Sequence, residues 1–105
     1  MDERIKRSRI QERKGAKDLG GRVNPGSGNQ WHTKNDVRTE NESVEFKSTL
    51  AKQYTIRLNE LKQAEKYALL SDKNMVFAIE MQGEQYAVIT WDDYLTLREM
   101  AGNGS

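Results

Sequence analysis

The segment Val44-Glu45-Phe46-Lys47-Ser48-Thr49 alternates apolar and polar side chains in the pattern of a β-strand. Val44 and Phe46 point to one face of this strand, and Glu45 and Lys47 point to the other. Charged residues therefore occupy a face where a buried strand would carry apolar side chains. Glu45 and Lys47 are therefore the centre of a candidate functional site.

Hydrophobic periodicity and turn residues place this strand in an α+β chain. Helices are predicted over residues 3–19, 57–71 and 91–100, and strands over residues 21–24, 36–39, 44–49, 75–81 and 84–90. Gly20-Gly21 ends the first helix, Gln82-Gly83 forms a hairpin turn, and Thr90 caps the last helix. The order α-β-β-β-α-β-β-α predicts an α/β sandwich, in which helices flank a mixed central β-sheet of about five strands.

Apolar spacing predicts which faces of these elements are buried. On the first helix, Glu12, Ala16 and Leu19 share the inward stripe. The stripe of the second helix consists of Leu58, Leu61, Ala64, Ala68 and Leu69. The last two strands carry apolar residues on both faces, namely Met75, Val76, Phe77, Ile79, Tyr86, Val88 and Ile89. Helices or a second subunit are expected to cover both faces.

Composition limits the architecture and excludes several kinds of site. A chain of 105 residues forms a single domain, predicted over residues 1–100 with a disordered tail at 101–105. Its hydrophobic fraction of 35% predicts a thin core. The absence of Cys excludes disulfides and thiolate chemistry. No apolar run reaches the roughly 20 residues of a membrane span, so we expect no membrane partner and an intracellular, cytoplasmic protein.

Charge is unevenly distributed along a chain whose net charge is +1. Residues 1–22 hold eight Lys or Arg and four acidic residues, whereas residues 59–105 hold four Lys or Arg and eight acidic residues. A basic amino-terminal segment is expected if one face binds a polyanion, but a solvated helix face has the same composition. Charge alone does not separate these two interpretations.

A second carboxylate, that of Asp36, precedes Glu45 by nine residues. If their segments pair as neighbouring strands, the two side chains come within about 5 Å of each other. A hard divalent cation, Mg²⁺ or Mn²⁺, would relieve the repulsion between them. Lys47 could then hold or deprotonate an attacking water and stabilise charge at a phosphate. The alternatives are a surface ion pair between Glu45 and Lys47, and a salt bridge on the helix surface for Glu12.

The run Asn24-Pro25-Gly26-Ser27-Gly28-Asn29 is predicted to be a loop. Its backbone amides can approach phosphates, because Gly26 and Gly28 have no Cβ. Arg22 and Lys34 are candidate contacts to the sugar-phosphate backbone of a nucleic acid. A plain turn is the alternative for this loop.

Asp36 followed by Glu45-Phe46-Lys47 resembles the signature of the PD-(D/E)xK nuclease superfamily. The likeness to small archaeal-type and phage Holliday junction resolvases covers roughly residues 9–95 and lies mainly in residues 20–28, 34–37 and 45–49. Asn35 stands where the superfamily name predicts proline, and small phage relatives commonly lack that proline.

The resemblance implies a restriction-endonuclease-like fold and Mg²⁺-dependent cleavage of phosphodiester bonds in branched DNA, with Mn²⁺ as a substitute. It implies that Asp36, Glu45 and the backbone carbonyl of Phe46 bind the metal ion. Lys47 would be the catalytic lysine. Glu12 would be the acidic residue beside the metal site, and it is predicted as a catalytic residue and a further metal ligand.

The same resemblance implies which residues contact DNA and how the chains assemble. Ser27 matches a hydroxyl near the scissile bond, and Thr49 is a further candidate DNA contact on the face of Glu45. A homodimer is implied, because cutting two opposed strands of a four-way junction requires two sites at a fixed separation. Trp31 either stacks on an exposed base or covers a small core or dimer contact, and His32 has no predicted role.

Two other functions remain open from the sequence. One is a nicking or end-processing nuclease on the same fold, since the motif specifies the reaction but not the shape of the substrate. The other is a non-catalytic DNA-binding module, which would bind DNA without cleaving it.

Overall fold

The computed structural model describes the backbone of residues 3–20, 22–23 and 35–103, and the side chains of residues 10–20 and 35–102. Its helices are α1 (Glu3–Leu19), α2 (Leu58–Leu70) and α3 (Trp91–Asn103). Its strands are β1 (Arg22–Val23), β2 (Val37–Arg38), β3 (Glu42–Thr49), β4 (Asn74–Met81) and β5 (Glu84–Val88). The predicted order of elements is confirmed.

The strands form one mixed sheet in the order β1-β2-β3-β4-β5. Pairing is antiparallel between β1 and β2, between β2 and β3, and between β4 and β5. β3 and β4 are parallel, and α2 is the crossover that such a pair requires. The predicted α+β class is therefore confirmed. β1 and β2 have only two residues each, so β3, β4 and β5 form most of the sheet.

Apolar side chains pack on both faces of this sheet. Against α1, the core cluster contains Ala16, Val37, Val44, Phe46 and Ala78. Against α2, it contains Ala64, Ala68, Met75, Phe77 and Ile79. The predicted alternation of β3 is confirmed, because Val44 and Phe46 face α1 while Glu45 and Lys47 pair in register with residues of the α2 cluster. The two helices thus cover both faces of β4.

The buried stripe of α1 differs from the prediction. Gln11 is only 1% exposed and Ala16 is buried, whereas Leu19 is 40% exposed and Glu12 is half-buried. The prediction for Leu19 is wrong because this residue ends the helix, immediately before the chain turns through Gly20 at a φ of 67°.

The buried stripe of α2 is also narrower than predicted. Ala64 and Ala68 are buried and Leu61 packs beside their cluster, but Leu58 and Leu69 are 69% and 78% exposed. Leu58 is the first residue of the helix, and Leu69 lines an open groove beside α3 instead of the core. Burial of α2 is therefore concentrated on its two alanines.

Two predicted local signals are confirmed at the C-terminal end of the fold. The hairpin between β4 and β5 turns through Gln82 and Gly83, both at positive φ, and the Asp93 amide donates to Thr90 Oγ1 at 3.1 Å. The predicted disorder is wrong for residues 101–103, because α3 continues through Asn103.

Gly15 lets α1 approach β3 closely. A Cβ at this position would lie inside the van der Waals contact distance of the Phe46 ring. We expect Gly15→Ala to lower the free energy of unfolding by about 1–3 kcal/mol, because the overpacking outweighs the gain in helix propensity. Urea denaturation measures this change.

Gly102→Ala is the matched control, because a Cβ there meets nothing within 4 Å. We expect that substitution to be neutral or stabilising by up to about 1 kcal/mol. Equal effects of the two substitutions would contradict the close approach of α1 to Phe46.

Candidate functional site

The register of β2 and β3 brings Asp36 next to Glu45. Val37 pairs with Val44, so the next position outward in this antiparallel ladder places Asp36 opposite Glu45. The Phe46 amide donates a 2.8 Å hydrogen bond to Asp36 Oδ2, and the bond is buried. The two carboxyl groups that the sequence predicts as neighbours on adjacent strands are therefore neighbours in the structure.

The electrostatics of Glu45 reflect this crowding. Burial is the largest cause that raises the pKa of Glu45, from an ordinary value of 4.5 to about 9. A hydrogen bond with the Asp36 carboxyl and the charge of Asp36 raise this pKa further. Near neutral pH, Glu45 is thus mostly a neutral carboxyl beside an acidic neighbour.

Lys47 and Glu12 act on the same carboxyl from two different elements. The charge of Lys47 lowers the pKa of Glu45, and the charge of Glu12 raises it. The structure therefore brings all four predicted catalytic residues into one electrostatic neighbourhood. Among the described side chains, however, no three His, Asp or Glu residues come close enough together to form a metal cluster. Glu12 thus influences Glu45 without joining it and Asp36 in a three-carboxylate cluster.

The donor set near Asp36 and Glu45 fits a hard cation. Mg²⁺ requires only one or two carboxylates, with water and substrate phosphate supplying other ligands. Strand geometry directs the carbonyl of Phe46 to the same side as its amide, and that amide faces Asp36. Two carboxyls and one backbone oxygen are therefore available, and a divalent charge would replace the proton on Glu45.

Asn35 positions the candidate site although the sequence pattern gave it no such role. Its side chain is fully buried, and Nδ2 donates to Ser43 Oγ at 2.9 Å and to the Ala64 carbonyl at 3.1 Å. These bonds connect the start of β2 to β3 and α2. Since Val37 is also fully buried, both neighbours of Asp36 in the chain are fixed by the core.

Tyr54 is a second residue that the pattern did not single out. Its ring packs near Phe77, with centroids 6.4 Å apart, and its hydroxyl donates to Glu60. Burial and the charge of Glu60 raise the pKa of Tyr54 to about 12, and the charge of Glu45 also raises it. Tyr54 therefore lies within electrostatic reach of the candidate site, on the α2 face of the sheet.

The predicted DNA contacts are only partly within the described residues. Thr49 ends β3, and its Oγ1 accepts a hydrogen bond from the Ala51 amide at 3.1 Å, so it shapes the turn that follows. Arg22 lies in β1, where its backbone is opposite Arg38 of β2 in the antiparallel pair. Gly26, Ser27, Gly28 and Lys34 lie outside the described residues, as do Trp31 and His32. Exposed cations on the described part of α1 are Arg13, Lys14 and Lys17.

Comparisons with protein-family models, with curated proteins and with solved structures find no match to this chain. Within the described part of the chain, no helix combines the length and the apolar character needed to cross a membrane.

The raised pKa of Glu45 makes stability fall as pH rises. Between pH 4.5 and about 9, Glu45 is ionised in the unfolded chain and neutral in the folded protein. The contribution of Glu45 to the free energy of unfolding is therefore fully present below pH 4.5 and is lost as the pH rises toward about 9. The cause is that the ionised unfolded chain must bind a proton at Glu45 in order to fold.

We expect Glu45→Gln to remove this dependence, because an amide does not titrate. In a metal chelator at pH 8, the variant should be more stable than the wild type by at least about 1 kcal/mol, and near pH 4 the two should agree. Thermal unfolding across this pH range measures the difference. Glu40→Gln, at an exposed position, should show no such gain. Parallel pH profiles of wild type and Glu45→Gln would contradict the assignment.

Proposed function

We propose that this protein is a Mg²⁺-dependent, structure-selective DNA endonuclease whose substrate is a four-way junction. The observation that supports the proposal is the buried pairing of Asp36 with Glu45, within electrostatic reach of Lys47. A carboxylate pair can hold the metal ion of a phosphodiester hydrolase, and a lysine beside it can stabilise charge at the phosphate. The order of these residues also resembles the PD-(D/E)xK signature, and Mn²⁺ should substitute for Mg²⁺.

Each residue has a distinct role in the proposed reaction. Asp36, Glu45 and the Phe46 carbonyl would hold the cation, which supplies charge stabilisation at the phosphate. Lys47 lies on the same strand face as Glu45. Its ammonium would hold the attacking water and stabilise charge that develops on the phosphate. Glu12 adds negative charge beside the site, which favours cation binding.

The choice of branched DNA rests on the resemblance, and the proposed binding of DNA rests on charge. Exposed cations on α1 supply sequence-independent contacts to phosphates. A nicking or end-processing nuclease would use the same residues on another DNA shape. Cleavage of matched junction, flap, nicked and linear substrates separates these two possibilities, and gel shifts without products at any Mg²⁺ concentration would indicate a DNA-binding module.

Cleavage of a synthetic four-way junction, with and without Mg²⁺, tests the proposed chemistry. We expect Lys47→Ala to lower turnover by about 10²–10³-fold, because charge stabilisation at the phosphate is lost, while junction affinity stays nearly constant. Asp36→Asn should also abolish cleavage, although its amide oxygen can still accept the Phe46 bond. Binding should weaken steeply with salt, since phosphate contacts release counterions.

Lys52→Ala is the matched control, because Lys52 is an exposed lysine in the turn after β3. Its turnover should equal that of the wild type. Cleavage at the wild-type rate in Asp36→Asn or Lys47→Ala would overturn the assignment, and a large loss of affinity in Lys47→Ala would make Lys47 a phosphate anchor only.

A homodimer is the second part of the proposal. The helices α1 and α2 cover β4, so the sheet no longer supplies the reason for a second subunit. That support now comes from α3, where Trp91, Tyr94 and Leu95 lie exposed on one side. On another side of α3, a groove of about 780 Å³ lined by Leu97 and Met100 separates the helix from the sheet. The first turn of α3 is acidic, which disfavours DNA as the occupant, and paired cuts require a second copy.

We expect the double variant Trp91→Glu with Leu95→Glu to be monomeric at micromolar concentration, because buried carboxylates oppose an apolar interface. Light scattering coupled to gel filtration measures this, with a dimeric wild type as reference. The control Lys66→Glu adds charge at an exposed position of α2 and should remain dimeric. A monomeric wild type, or a dimeric double variant, would contradict this interface.

A further inference from the structure

The side chain of Gln11 is an unusual buried polar group. It lies on α1 and is only 1% exposed. Its Nε2 donates a 3.0 Å hydrogen bond to the backbone carbonyl of Lys47 and a longer one, 3.4 Å, to Gln85 Oε1. Among the described residues, its Oε1 is buried without a hydrogen-bond partner. The NH₂ group of the Gln11 side chain therefore has hydrogen-bond partners, and its carbonyl oxygen has none among the described residues.

The chemistry of the Lys47 carbonyl fixes the orientation of this amide. A backbone carbonyl only accepts hydrogen bonds, so the group of Gln11 that meets it must be the NH₂. The opposite orientation would place two acceptors 3.0 Å apart. Gln85 supports this assignment from the side, because its own Nε2 donates to Glu80 Oε2 at 3.4 Å, which leaves its Oε1 to accept from Gln11.

Packing alone does not explain a glutamine at this position. Its neighbours on the buried side of α1 are Gly15 and Ala16, and Phe46 fills the adjoining core. A methionine has nearly the same length and brings no polar side-chain atom of its own that would be buried without a partner. A buried amide oxygen without a partner costs free energy, so the feature that distinguishes glutamine here is its bond to the Lys47 main chain.

We propose that Gln11 is a positioning residue that holds the Lys47 main chain against α1 and so fixes Lys47 relative to Glu12, the next residue of the helix. The role in turnover rests on the proposed nuclease function, whereas the hydrogen bond itself does not. A purely structural role predicts a different result, because loss of Gln11 would then lower stability, binding and turnover together.

The test compares Gln11→Met with Gln85→Met. Gln11→Met removes the bond to Lys47 and keeps the side-chain length, whereas Gln85→Met removes only the longer bond. On the four-way junction with Mg²⁺, we expect kcat to fall about 10–100-fold in Gln11→Met with KM nearly unchanged. Its unfolding midpoint should equal or exceed that of the wild type. Gln85→Met should keep kcat within about threefold of the wild type.

A second measurement does not depend on any enzymatic activity. The carbonyl-carbon NMR shift of Lys47 reports its hydrogen bond, and we expect it to move in Gln11→Met but not in Gln85→Met. If the wild type cleaves no DNA, the proposed function fails, and this shift still decides whether Gln11 holds the strand. An unchanged shift, an unchanged kcat, or a Gln11→Met protein that loses its fold would overturn the proposal.

Discussion

The hydrogen bond from the Phe46 amide to Asp36 Oδ2 couples the candidate site to the register of the sheet. Asp36 lies just before the first paired residue of β2, so its carboxylate occupies the place where the backbone ladder would otherwise continue. Fully buried neighbours, Asn35 and Val37, prevent the segment from shifting. A slip of one residue would turn Glu45 and Lys47 to the α1 face and would separate them from Asp36. Sheet pairing and site geometry are therefore inseparable in this fold.

The same arrangement opposes stability. Two carboxyls share a mostly buried position, and the lysine beside them does not compensate for burial, because the pKa of Glu45 still rises to about 9. A chain with a hydrophobic fraction of only 35% has little stability in reserve. Local conflict of this kind, in an otherwise consistent sequence, is characteristic of functional sites. A proton on Glu45 relieves the conflict in part, and a divalent cation would relieve it more completely.

Local patterns predicted the parts of the fold that depend on neighbours in sequence. The alternation of β3, the pairing of Asp36 with Glu45 and the turns at Gly20 and Gly83 each follow from spacing or backbone preference. The hydrogen bonds of the buried side-chain amides of Gln11 and Asn35 could not be predicted from local patterns, because their partners are distant in the chain. Gln11 bonds a residue 36 positions away, and Asn35 bonds one 29 positions away.

The exposed leucines were mispredicted for a related reason. Helical periodicity identifies an apolar stripe but not how much of it the sheet covers. The small side chains of Ala64 and Ala68 make the contact of α2, and Leu58 and Leu69 lie beyond it. The predicted set of metal-binding residues was also only partly predictable. Spacing along α1 does not determine how near Glu12 comes to Asp36 and Glu45.

Helix α1 contacts β3 at two consecutive residues, and this explains how Glu12 can act on a strand that is far away in sequence. Gly15 allows the helix to approach the Phe46 ring, and Gln11 bonds the carbonyl of the next residue, Lys47. Glu12 lies between these two contacts on α1. Its distance from Glu45 is therefore set by helix packing, whereas that of Asp36 is set by strand pairing. A displacement of α1 would change the field at Glu45 directly, whereas Asp36 is also held by its bond to the Phe46 amide and by the bond of Asn35 to α2.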